Sequence, residues 1–396
     1  MKMKPVHGLL FFLLLCSCMK RKYADLVIHN AHIYTLDENN SMGEAMAIDH
    51  GKVVEVGPER QILNKYRWGK SIDAEQRFIY PGFTDALGHY ANKLVNNRQS
   101  AESKQRAFES QWLTLQQDLL RNGIVEVHDA GMDADQLQQL MRLDHSGKLN
   151  VRVYTMLNPS DENFRFAEKL GIYTSRNLTV RSFYLTSSKD IKLSRRWVEQ
   201  WAQRCTNLKY QLVFYPRDSA EISWFWKVAR KAYQVRPDHR WRLMVDNASV
   251  YLNYSYLKDF AVFVTVFPIA TTEKKIEENK VDCRAIMEGF GILALASNFS
   301  MNSWSSMNVQ QKLNHFPPNT THKIGHLSMT FQERLKALTV WPQFAAFHES
   351  IRGSLSKGFE ANFFIAERPI NSEGMTHENA ARMTFIQGKL VYDATK

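Results

Sequence analysis

Pro81-Gly82-Phe83-Thr84-Asp85-Ala86-Leu87-Gly88-His89-Tyr90 carries an apolar run, residues 79–84, into an aspartate, a glycine and one imidazole. A short apolar run that stops at a glycine reads as a buried strand with a turn at its end. An imidazole at a strand end is a possible metal ligand, but Leu87, two residues before it, has no lone pair to donate. Further apolar runs follow at 124–128, 151–156, 179–186, 211–215, 241–246, 262–267 and 292–297. Helical-period segments separate most of them. Trp112, Leu115, Leu119 and Leu120 form one stripe, and Leu137, Leu140, Met141 and Leu143 another. About eight strand–helix units predict an α/β chain folded as a (β/α)8 barrel of the TIM type.

Both ends of the chain read differently, as strands joined by turns. Leu26-Val27-Ile28, His32 to Leu36, Ala45 to Ile48 and Val53 to Val56 lie near the start, and Asp49-His50-Gly51-Lys52 is a hairpin signal. Ala361 to Ala366, Met383 to Ile386 and Lys389 to Tyr392 lie near the finish. The expectation is a small β domain built from both termini, residues 24–80 and 349–396, around a barrel over 81–348.

The 396 residues, 44% hydrophobic and 23% charged, are the composition of a globular chain. The net charge of +11 favours anionic surfaces. No zinc knuckle, helix-turn-helix or aromatic RNA-binding signature is present, so no nucleic-acid partner is expected. Lys2 and Lys4 precede an apolar run, Leu9 to Leu15, that is too short to span a bilayer. Leu15-Cys16-Ser17-Cys18 resembles a bacterial lipobox. Residues 1–18 are therefore read as a lipoprotein signal peptide with its lipobox, with Cys18 as the lipidated residue. A basic tether, Met19-Lys20-Arg21-Lys22, follows. The expected location is the bacterial cell envelope, anchored to a membrane. Cys205 and Cys283 lack metal-site spacing and read as small core hydrophobes.

Several stretches together resemble the amidohydrolase superfamily, in particular amidohydrolase family 3, over residues 24–396. Ala24 to Asp37 is similar to its opening strand pair. Pro-Gly-Phe-Thr-Asp-Ala at 81–86 is similar to its first barrel strand, and Gly123 to Gly131 to its second. Gly353-Ser354-Leu355-Ser356-Lys357-Gly358-Phe359-Glu360-Ala361-Asn362-Phe363 resembles a motif near its end. The resemblance implies a divalent metal such as zinc at the barrel mouth, and hydrolysis of carbon–nitrogen bonds by a metal-activated water.

At the positions where the resemblance implies metal ligands, this chain carries other residues. Leu87 stands in the first histidine's place, with His89 in the second. Tyr184 stands where a lysine is implied. Phe214 or Tyr215, and Val245, stand where histidines are implied, and Asn298 stands where an aspartate base is implied. Asparagine cannot act as that base. No cofactor is therefore expected. The pocket candidates are Leu87, His89, Tyr184, Phe214, Tyr215, Val245 and Asn298, with Tyr90, Phe267 and Trp304 as further aromatics. The expectation is a pseudo-hydrolase that binds a small molecule or acts as a scaffold. Two alternatives stay open: a hydrolase with a site rebuilt around His89, Asp85 and His128, and a structural envelope lipoprotein.

Overall fold

The computed structural model describes residues 21–91, 101–187, 193–245, 253, 255–267, 282–297, 299–300, 329–370 and 381–396. Seven parallel strands run in sequence around a barrel: Phe83–His89, Ile124–Met132, Arg152–Leu157, Leu178–Thr186, Gln211–Tyr215, Arg242–Val245 and Phe263–Val266. The eighth comes in two pieces. Ala294–Leu295 pairs with the seventh strand, and Phe299–Ser300 pairs with the first, setting Phe299 opposite Gly88 and Ser300 opposite His89. That split strand brings the ring nearly to closure. The foreseen runs from 124 onward each contain a barrel strand, because strands buried on both faces read as nearly continuous apolar stretches; the run at 79–84 instead joins the end of the β-domain strand Tyr66–Pro81 to the start of the first barrel strand.

Helices cover the outside, and their starts are chemically marked. Ser160, Ser194 and Asp218 accept the backbone N–H of Asn163, Trp197 and Glu221, satisfying donors that an uncapped helix leaves open. The helix Ala101–Arg121 packs on the second strand, as its Trp112–Leu115–Leu119 stripe requires. Cys205 and Cys283 are buried free thiols in this outer core. Trp224, Phe225 and Trp226 serve helix packing. Phe225 and Trp226 are buried and Trp224 half-buried.

The β domain is a second sheet. Its order runs Lys389–Asp393, Ala381–Ile386, Phe363–Ala366, Tyr66–Pro81, Lys22–Tyr34, Ala45–Asp49 and Lys52–Gly57. Phe363 pairs with Pro81 and Ile365 with Ile79, so the carboxy-terminal strands are stitched onto the amino-terminal ones. The two short strands expected at 26–28 and 32–36 are instead one strand, Lys22–Tyr34, with an irregularity after His29 where Asn30 takes φ 55°. The hairpin at Asp49–Lys52 forms with both His50 and Gly51 at positive φ, the type I′ geometry. Gln387 and Gly388 form a matching turn, and the two turns touch: a Cβ on Gly51 would lie 3.0 Å from the Gln387 carbonyl.

The barrel floor is charged. Glu126 and Arg152 enter from the second and third strands, and the segment after helix Val340–Ala346 brings His348, Arg352 and Glu360. Arg352 Nε bonds Glu360 Oε2 at 3.0 Å, and Arg152 bonds the same carboxylate. Glu126 lies 3.7 Å from Arg352 and 3.4 Å from His128 Nε2. Among the described residues, no helix is long and apolar enough to cross a membrane.

Candidate functional site

Chemistry in this architecture sits at the carboxy-terminal ends of the strands. The first strand reaches that end through a bulge: Asp85 opposes Val127 and Gly88 opposes Asp129, three steps against two. The bulge explains why the consecutive Ala86 and Leu87 both join the apolar barrel interior, which strict alternation would forbid. Leu87 is fully buried there, with Ala130, Met156, Tyr184, Tyr215 and Phe267.

His89 is half-buried. Its Nδ1 lies 2.9 Å from the Ala130 carbonyl oxygen, an acceptor, so Nδ1 carries the proton. Its ring meets Tyr184 edge-on at 5.7 Å. Tyr215 in turn meets Phe267 edge-on at 5.2 Å, and Arg217 stacks 4.3 Å above Tyr215 while donating to its hydroxyl at 3.2 Å. Among the described residues, the strand ends thus gather aromatic rings around one imidazole and one guanidinium. Arg217 escaped the sequence reading; its position two residues beyond an inward-facing strand-end tyrosine was the available signal.

Asp85 does not point to these rings as an acid or base. It accepts from Ser297 N–H at 2.8 Å, from the Ser297 and Tyr90 hydroxyls, and from Leu87 N–H at 3.4 Å. Burial pushes its carboxyl up, against the downward pull of those hydrogen bonds. The aspartate is a strut between the first and eighth strands. Tyr90, expected among the mouth aromatics, turns back beneath the strand instead. A Cβ on Gly88 would lie 2.1 Å from its ring, so the residue between Leu87 and His89 has to be glycine. Asp129 fixes the same turn by accepting the Tyr90 and Ala91 N–H groups at 2.7 and 2.9 Å; burial pushes its carboxyl up to about 7.

His128 faces the interior well below the mouth. Its Nδ1 accepts from Arg242 at 2.9 Å and its Nε2 faces Glu126. Burial, then the Arg242 charge, pull it down to about 4. The rebuilt site imagined around His89, Asp85 and His128 does not assemble: each of the three is engaged with different partners. Two pocket candidates are also corrected. Phe214 stacks on Phe225 of helix Ser219–Val235 at 5.2 Å, and Val245 belongs to the same outer core. The inward residues of those strands are Tyr215 and Met244. Asn298, Trp304 and Cys18 lie outside the described residues.

No family model and no curated protein matches the chain. Solved structures do. An adenosine deaminase from Xanthomonas campestris with bound zinc superposes with a TM-score of 0.72 at 14% identity, covering 94% of both chains. An uncharacterized metal-dependent hydrolase from Pyrococcus furiosus gives 0.68 at 14% identity, covering 87% of this chain and 99% of its own. An amidohydrolase from an environmental sample of the Sargasso Sea gives 0.64 at 14%, covering 93% of each. At such identities the likeness establishes the fold: a TIM-type barrel with an added β domain.

The donors that the described residues present do not fit a zinc ion. Zinc sites draw on three or four protein ligands. No three His, Cys, Asp or Glu side chains are grouped to hold a metal among the described residues. Asp85 is saturated by its strut bonds, and Leu87 fills the neighbouring space.

Proposed function

We propose that this chain is an amidohydrolase-type barrel whose metal centre has been replaced by an aromatic cup. In this reading it is a pseudo-hydrolase that binds a small molecule, held to the bacterial cell envelope by lipid on Cys18. The observation that carries the reading is the lining of the strand ends. Leu87, Tyr184 and Tyr215 occupy them as one buried apolar cluster, and His89 spends its Nδ1 proton on a backbone carbonyl. Concave apolar surfaces with a few fixed polar groups suit small-molecule binding. The cup favours a flat apolar body, and Arg217 at the rim favours an anionic or hydrogen-bond-accepting group on it.

A library of such compounds is expected to contain members that raise the melting temperature by several degrees, since a ligand at 100 times its Kd stabilises the native state by about 2.7 kcal/mol. The shift is expected to vanish in Tyr184→Ala and in Tyr215→Ala. A screen without any stabilising compound, or hits that both variants retain, would contradict the reading.

A second reading, an active hydrolase on carbon–nitrogen bonds with a divalent metal, draws support from the similar solved structures. One is a metal-dependent hydrolase by name, and another, an adenosine deaminase, holds zinc. Metal bound by the purified chain at one ion per chain would favour this second reading, and its absence the first.

A further inference from the structure

A groove of about 1060 Å³ opens on the β domain, on the barrel-floor side. Three cations from three separate elements line it: Lys70 from the strand Tyr66–Pro81, Arg176 from the loop before the fourth barrel strand, and Lys389 from the last hairpin. All three are exposed, and none is held in an ion pair with a described carboxylate. The one carboxylate in the lining, Asp25, accepts the His50 N–H at 2.8 Å. The groove is therefore a basic concavity with its positive charge unspent. Exposed apolar groups stand in its lining, Tyr23 at 51% and Leu390 at 43% exposure, and Trp68, on the same strand two residues before Lys70 but outside the lining, is 37% exposed.

The position of the groove in the chain supplies the second observation. Tyr23 lines it and lies five positions after Cys18. A fully extended chain covers at most about 3.6 Å per residue, so Cys18 lies within about 18 Å of the rim. The residues between carry Lys20, Arg21 and Lys22. A lipid on Cys18 would leave the groove no more than that distance from the bilayer surface.

We propose that the groove is a docking face for a bilayer rich in anionic phospholipid. Lys70, Arg176 and Lys389 would receive headgroup phosphates, with Tyr23, Trp68 and Leu390 seated at the interface, where amphipathic rings are favoured. A basic face adds electrostatic attraction to anionic lipid on top of the lipid anchor. The choice of a bilayer as the occupant rests on the lipoprotein reading. Docking would fix the orientation as well. The barrel floor faces the membrane and the aromatic cup faces away, open to soluble ligand.

The test uses the full chain with Cys18→Ser, so that no lipid contributes, and measures co-sedimentation with phosphatidylcholine vesicles with and without phosphatidylglycerol. Binding is expected only to the anionic vesicles. Lys70→Gln with Lys389→Gln is expected to weaken it about 25-fold, from about five-fold per cation near an anionic surface. Lys227→Gln with Lys231→Gln removes the same charge from an exposed helix face and is expected to change it little. Equal losses in the two double variants, or equal binding to both vesicle types, would overturn the proposal. These substitutions are on the surface, and unchanged melting temperatures confirm the fold. The anchor is tested separately, by the mass of the amino-terminal peptide of the unmutated chain. An unmodified Cys18 would remove the anchor and leave the vesicle result to judge the groove on its own.

Discussion

Asp85→Ala is expected to destabilise the fold by about 3–5 kcal/mol, the largest effect of any single substitution at the barrel mouth. The carboxylate is fully buried and satisfies three strong donors: the N–H and hydroxyl of Ser297 and the hydroxyl of Tyr90. Removing it leaves those donors buried without an acceptor, at about 1–3 kcal/mol each. It also frees the eighth strand, which comes in two short pieces, from the first. Asp85→Asn is expected to lose roughly a third as much, because the amide keeps one acceptor oxygen but sets an N–H₂ against a donor. Chemical denaturation of the two variants checks this. A loss under about 1 kcal/mol in Asp85→Ala would mean that the aspartate is not the strut described, and would return it to the list of candidate catalytic groups.

The barrel floor carries the second large effect. Glu126→Gln is expected to cost about 3–5 kcal/mol, the usual result of removing one partner from a buried charge cluster. Burial alone would raise the Glu126 carboxyl. The contact with His128 and the charge of Arg352 outweigh burial and hold it below the usual range. In the variant, Arg352 keeps Glu360 and the neighbouring His348 but loses a buried carboxylate. The coupling between Glu126 and Arg352, from a double-mutant cycle with Arg352→Met, is expected at about 0.5–3 kcal/mol. The same floor limits stability in acid. Burial draws His128 and His348 down to about 4 from an ordinary 6.5. A depressed folded-state pKa means that the unfolded chain binds protons first, so this stabilisation is complete above about pH 6.5 and is lost as pH falls through 4. Asp129, raised to about 7, works in the opposite sense over that window and offsets about one of the two histidines.

Strand order was legible because the barrel strands are buried on both faces and keep their apolar runs. The β domain was legible from its turns, with His50-Gly51 the clearest. What a single strand end presents to the interior was harder to read. Alternation has a period of two, so a slip of one residue exchanges inside for outside. That exchange is what placed Val245 and Phe214 in the expected pocket while Met244 and Tyr215 occupy it. The bulge after Asp85 acts the other way and brings Leu87 inward. The charged floor was missed for a different reason. Glu126 and His128 sit two apart on one strand, which is a same-face signal. Their partners Arg242, His348 and Arg352 come from more than 100 residues away, and no local pattern announces such a meeting.

If the strand ends no longer form a metal centre, the chain carries no stoichiometric ion, and its metal content shows this. The chain, purified without chelator, offered zinc and manganese and then dialysed, is expected to retain well under one ion per chain by elemental analysis. Leu87→His is expected to retain no more, because one restored imidazole beside His89 still falls short of the three or four ligands that zinc requires. Stoichiometric metal in the unmutated chain, removed by chelator together with hydrolysis of a carbon–nitrogen bond, would contradict the account and establish the enzyme instead.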